Sequence, residues 1–153
     1  MKNTIIIVVT AVCISSFAKA QCPSQYKSII DFSNDTTAFV NYNFKVRANC
    51  YIGKTLGDVL VDLKIPVKSY LPIIDGLRDD IYNGVYIHLY PYNVVRKQHY
   101  EGNFINTIYI EFEKPIDENA LDALEDKTDP NKWTYQIESF LKSQKINEMG
   151  IVQ

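Results

Sequence analysis

Asn106–Pro115 reads NTIYIEFEKP, with Ile108, Ile110 and Phe112 on one side of a strict alternation and Thr107, Tyr109, Glu111 and Glu113 on the other. A period of two is that of a β-strand with one face buried and one face wet. Pro115 marks the expected end of this strand. A second stretch, VYIHLYPY from Val85, sets Val85, Ile87 and Leu89 against Tyr86, His88 and Tyr90. The Asn83-Gly84 pair before it is a tight-turn signal. The same alternation marks Val40–Cys50 as a third strand, with Val40, Tyr42, Phe44, Val46, Ala48 and Cys50 inward and Asn41, Asn43, Lys45, Arg47 and Asn49 outward. Val67–Ile74 is extended, and Pro72 within it lacks a ladder donor, which assigns the segment to a sheet edge.

Helical spacing appears between these stretches. Thr55 and Asp58 form a capping-box pattern ahead of Leu56, Val59, Leu60 and Leu63, and Pro66 forbids a long continuation. Asp117 caps a later helix through Leu121 and Leu124, and Asp129-Pro130 opens another that carries Trp133, Ile137, Phe140 and Leu141. Residues 146–152 form a closing strand or a packed tail, and Pro91–Asn103 is polar and matches no template. The expectation is a single α+β domain over residues 21–153. It has an antiparallel or mixed sheet of about four to five strands, one short helix, and a C-terminal helical pair over one face.

The first twenty residues, MKNTIIIVVTAVCISSFAKA, combine Lys2, an apolar run from Ile5 to Ile14 and an Ala18-Lys19-Ala20 ending. That is the plan of a secretory signal peptide cut near Ala20, and its apolar run is about half the roughly twenty residues a transmembrane helix needs. The expectation is an exported protein, periplasmic or secreted, with no transmembrane segment in the mature chain. Cys22 invites comparison with bacterial lipoprotein signals, but Lys19 and Gln21 depart from their pattern, so simple export is preferred to a lipid anchor. Of three cysteines, Cys13 falls in the leader, and in an oxidising compartment Cys22 and Cys50 pair as a disulfide. Cleavage removes Lys2 and Lys19 from 16 basic residues and none of the 18 acidic ones, leaving a net charge of −4. An acidic balance gives nucleic acid no footing.

Ala48–Thr55, ANCYIGKT, fits a nucleotide-binding P-loop once Ala is allowed at its first position. A phosphate cradle needs small residues that expose successive N–H groups, and Tyr51 and Ile52 are bulky. The stretch reads instead as a strand-to-helix junction, so no nucleotide site and no cofactor are expected. His88 and His99 lack metal-ligand spacing, so no metal is expected, and His88 reads as a solvent-facing sheet residue. No nucleophile motif is present, so no catalytic residue is assigned. Asn34-Asp35-Thr36 fits a glycosylation sequon, and Asp35-Thr36-Thr37 resembles a bacterial O-glycosylation acceptor.

Eleven tyrosines are many for this length. Tyr86, His88, Tyr90, Tyr109 and Glu111 share the outward parity of two strands, and paired strands would bring them into one patch of rings with hydrogen-bonding tips. Such a surface suits recognition, because Tyr buries apolar area with few rotors to freeze. The competing reading makes these rings cross-strand packing. The preferred function is a non-enzymatic exported protein that binds a protein or a cell-envelope glycan through this face. Two alternatives stand beside it: a small envelope-glycan hydrolase using Glu111, Glu113 and Asp117, and an inhibitor or immunity-type protein.

YIGKTLGDVLVDL from Tyr51, followed by extended segments and NTIYIEFEKP, resembles the PASTA module over roughly residues 51–115. In that family a G-K-T/S-L opening starts the helix of a small βαββ domain. The resemblance implies non-catalytic binding of peptidoglycan fragments. As a whole the chain is similar to small exported bacterial proteins.

Overall fold

The computed structural model describes Cys22, residues 24–103 and residues 105–152. The expected leader, residues 1–20, lies outside them. Four strands, β1 (Ser69–Asp75), β2 (Arg78–His88), β3 (Thr107–Asp117) and β4 (Ile146–Val152), form one sheet in the order β1-β2-β3-β4. All three pairings are antiparallel, so the sheet is a meander in an α+β domain.

Register fixes the two faces. Tyr70 stands opposite Ile87, Ile87 opposite Ile108, and Val85 opposite Ile110, which in turn faces Met149. These side chains are buried and belong to one core with Leu56, Val59 and Leu63 of α2 (Leu56–Leu63) and Ile137 and Leu141 of α5 (Tyr135–Leu141). The other row runs Leu71, Tyr86, Tyr109 and Gly150 across the four strands, on the outer face.

The chain from Val40 to Cys50 is helical, not a strand. Asp35 Oδ1 accepts the Ala38 N–H at 3.0 Å and starts α1 (Thr36–Val40), which widens into a π-helical turn over Asn41–Val46 and closes with a 3₁₀ turn over Ala48–Cys50. The buried positions are Phe39, Val40, Asn43, Phe44, Arg47, Cys50 and Tyr51, which recur every three to four residues. Two polar side chains disguised this helical period as alternation. Asn43 Nδ2 donates to Lys27 O and Phe39 O, and the Arg47 guanidinium donates to Ser24 O at 2.9 Å and Asn43 Oδ1 at 3.1 Å. Val46, expected inward, is exposed. The Cys22–Cys50 disulfide closes this region. A loop of that length stabilises by roughly 3 to 4 kcal/mol in the chain-entropy picture.

The Gly53 to Thr55 turn behaves as expected. Gly53 adopts a φ of 75°, its N–H donates to Ile146 O, and the Thr55 and Asp58 side chains cap α2 reciprocally. The Lys54 ammonium lies over the Tyr51 ring, 5.3 Å from its centroid.

Three boundaries differ from expectation. Asn83-Gly84 lies inside β2, where the register shifts, and the hairpin turn is Asp75-Gly76-Leu77-Arg78. Both pairs carry turn chemistry, but Gly84 serves close approach, since a Cβ there would collide with the Ile110 carbonyl oxygen. β3 runs past Pro115 to Asp117, because β4 pairs only as far as Phe112 and leaves no ladder partner on that side. Asp129-Pro130 belongs to a turn; α5 starts at its cap Thr134, so Trp133 precedes the helix and donates from Nε1 to Glu138 Oε2 at 3.0 Å. Asp117 does cap α4 (Glu118–Asp122), accepting from Ala120 N at 2.9 Å.

Pro91–Asn103, unassigned from sequence, contains α3 (Tyr92–Tyr100), which starts behind Pro91 and lies on the outer face of the sheet. Among the described residues no helix is long and apolar enough to cross a membrane.

Candidate functional site

α3 covers only one end of the outer face and leaves a cleft of about 260 Å³ between itself and the sheet. The sheet contributes Leu71, Tyr86, His88, Thr107 and Val152 to its wall. α3 contributes Tyr92, Val95, Arg96 and His99, which recur at i, i+3, i+4 and i+7 and so share one side of the helix. Asn103 and Ile105, on the connection to β3, also line it, and among the described residues the lining includes no Asp or Glu.

His88 is the most constrained member. It is 3% exposed, contrary to a solvent-facing reading, because α3 covers the end of the outer face where it sits. Burial away from water disfavours the imidazolium and pushes its pKa down to about 4. Its Nδ1 lies 3.4 Å from Ser69 Oγ, and that hydroxyl donates to Tyr90 O at 2.7 Å. With the one hydroxyl hydrogen committed to Tyr90, Ser69 meets His88 with a lone pair. The Nδ1 position therefore carries the imidazole hydrogen, and Nε2 is an acceptor. No described residue hydrogen-bonds that Nε2, and the centroid of the Tyr92 ring lies 6.5 Å from that of the His88 ring, on a tilted plane.

The five expected binding residues divide. Tyr86 and His88 line the cleft, whereas Tyr90 is exposed beyond its wall. Tyr109 stands opposite Tyr86 on the same face. Its hydroxyl donates to Glu148 Oε1 at 2.8 Å, and that bond, with partial burial, holds its pKa above the ordinary phenol value. The Tyr109 ring lies over Gly150, where a Cβ would stand 2.7 Å from Cε1. Glu111 stands next along the row, opposite Gly84 and Glu148. Tyr86, Tyr109 and Glu111 are thus neighbours, but only the Tyr86 end is walled by a helix.

Other tyrosines hold elements together. Tyr51 donates to Asp62 Oδ2 at 2.7 Å, Tyr70 to Glu125 Oε1 at 2.9 Å, and Tyr82 to Glu118 and Asp122 at 3.2 and 3.1 Å. Burial raises the pKa of each of these phenols, and the neighbouring carboxylates raise it further. Glu125 is likewise raised, chiefly by burial.

Of the carboxylates weighed for hydrolysis, Asp117 is occupied as the α4 cap and Glu113 is exposed. Among the described residues no cluster of three or more His, Cys, Asp or Glu side chains is placed to hold a metal ion. Sequence reasoning missed Tyr92, Val95 and Arg96. The signal for them was the helical spacing behind Pro91, diluted by the exposed Val94 and the charges around it. Comparison with known proteins found no match to a family model, to a curated protein or to a solved structure.

Proposed function

We propose that this chain is an exported, non-enzymatic binding protein whose ligand enters the cleft between α3 and the outer sheet face. The observation that carries the reading is His88: a buried imidazole with a free acceptor nitrogen, in the wall of a cleft otherwise lined mostly by apolar and aromatic groups. A few placed polar groups in a largely apolar, preformed concavity are the usual composition of a small-ligand site. The Cys22–Cys50 disulfide supports export, since such bonds persist in oxidising compartments. The expected leader at residues 1–20 is part of the same proposal.

The test is a fragment screen by two-dimensional NMR on isotope-labelled protein. Binding in the cleft requires that hits shift the amides of Leu71, Tyr86, His88, Val95 and Thr107 together. Hits that instead map to Tyr90 and Glu111, or a screen with none in the cleft, would remove the reading. Tyr86→Ala should abolish the mapped hits while changing the melting temperature by no more than a few degrees.

A further inference from the structure

The cleft also constrains the chemistry of its occupant, an inference that rests on the proposed binding function. Volume comes first. A cavity of 150 Å³ accommodates benzene, so about 260 Å³ encloses roughly ten non-hydrogen atoms, a bicyclic ring and the first atom of an arm whose charged end reaches the exposed Arg96 at the rim. Shape comes second. Tyr86, His88 and Tyr92 present ring surfaces, and Leu71, Val95 and Val152 fill between them, an environment suited to a flat aromatic body.

Charge comes third. Arg96 lines the cleft on α3, and it has no ion pair or hydrogen bond to another described residue. Lys97, its neighbour on the helix, already faces Glu101 at 3.8 Å. Among the described residues no carboxylate lines the cleft, so the exposed Arg96 guanidinium at its rim favours an anion there. The last element is the tautomer of His88. Its Nε2 is an acceptor, so it repels a carboxylate oxygen and requires an N–H or O–H donor. One carboxylate therefore cannot serve both the arginine and the imidazole. One takes the anion and the other takes a neutral donor.

We infer that the cleft binds a small aromatic carboxylate bearing a ring N–H or O–H, with its carboxylate on Arg96 and its ring donor on His88 Nε2. Both polar ends of the ligand are then satisfied and its ring displaces water from the apolar wall, which gives affinity and orientation together.

Titration calorimetry on the disulfide-intact chain at neutral pH tests this with four probes. Indole-3-acetate supplies ring, donor and charge. Indole-3-acetamide lacks the charge, 1-methylindole-3-acetate lacks the donor, and octanoate lacks the ring. The expected result is that indole-3-acetate binds and that each of the other three binds at least about tenfold more weakly, the size of loss that accompanies an unmet charged or buried polar group. Arg96→Gln, an exposed substitution that leaves the core intact, should erase the difference between acid and amide. Equal affinity for acid and amide, or equal affinity for the N-methyl probe, would overturn the assignment. So would octanoate binding most tightly. Should all four probes fail while NMR fragments still occupy the cleft, the ligand class is wrong and the binding site stands. Should the fragments fail as well, the site itself is refuted.

Discussion

The two faces of one sheet are built from the same four strands and end in opposite conditions. On the inner face Tyr70, Val85, Ile87, Ile108 and Ile110 are fully buried beneath several helices. On the outer face one helix among the described residues, α3, provides the cover, and none of its own residues is buried. A strand alternation deals an apolar set to one side and an aromatic and polar set to the other. How much of the second set reaches water then depends on the cover that the rest of the chain provides. Here a nine-residue helix with a narrow stripe shields His88 and leaves Tyr109 and Glu111 partly open to solvent at one edge. The inner face supplies stability. The outer face supplies a concavity.

Substitutions on the two faces should therefore separate by size. Ile110→Ala removes a fully buried side chain at the centre of the inner face, and we expect a loss of about 4 kcal/mol, read from urea unfolding at constant m-value. A loss below about 1 kcal/mol would mean that the inner core is loosely filled.

The next effect is smaller and depends on pH. In the folded protein His88 stays neutral down to about pH 4, whereas in the unfolded chain it takes up a proton near its ordinary value of 6.5. Between those values the unfolded state binds more protons, so this contribution is fully present above pH 6.5 and drains away as pH falls toward 4. Its full size is about 3 kcal/mol. Denaturation of the parent chain and of His88→Gln at pH 7.5, 5.5 and 4.5 isolates it: the stability advantage of the parent should shrink as pH falls. A constant difference between the two would show that the imidazole is hydrated in the fold.

The smallest effect belongs to the open end of the outer face. Tyr109→Phe deletes one solvent-accessible hydrogen bond to Glu148 and keeps the ring over Gly150. A cost under about 1 kcal/mol is expected, and a phenol titration in the parent that moves down in Glu148→Gln would confirm the bond that raises it. A larger cost would make that end of the face part of the folding core.

Legibility in the sequence followed the same division. Strands whose inward residues are all apolar, such as Ile108, Ile110 and Phe112, were readable from period alone. So was α2, where Thr55 and Asp58 announce the start by their own hydrogen bonds. Val40–Cys50 misled because Asn43 and Arg47 are buried polar residues, and their partners outside the segment, Lys27 O and Ser24 O, lie 16 and 23 residues earlier. Nothing local in the chain reveals such partners. α3 escaped because its stripe mixes Tyr92 and Val95 with Arg96 and His99, polar groups kept for the cleft wall rather than for the core. The Tyr86 and His88 pair was legible as a parity, but the helix that makes a site of it was not.

One end of the sheet matters for the protein in crowded solution. β1 is an edge strand, and an open edge is a template on which another chain can add its own strand. At its start Asn131 O accepts the Tyr70 N–H and Trp133 N–H donates to Lys68 O, so this stretch of backbone is already occupied from within the molecule. Pro72 comes next, and a proline has no hydrogen to offer an incoming strand. Between them the segment and the proline leave only the last residues before the Asp75 turn available. Exposed Ile74 and Leu77 sit there, so on this edge self-association of the protein at high concentration should begin at that tip.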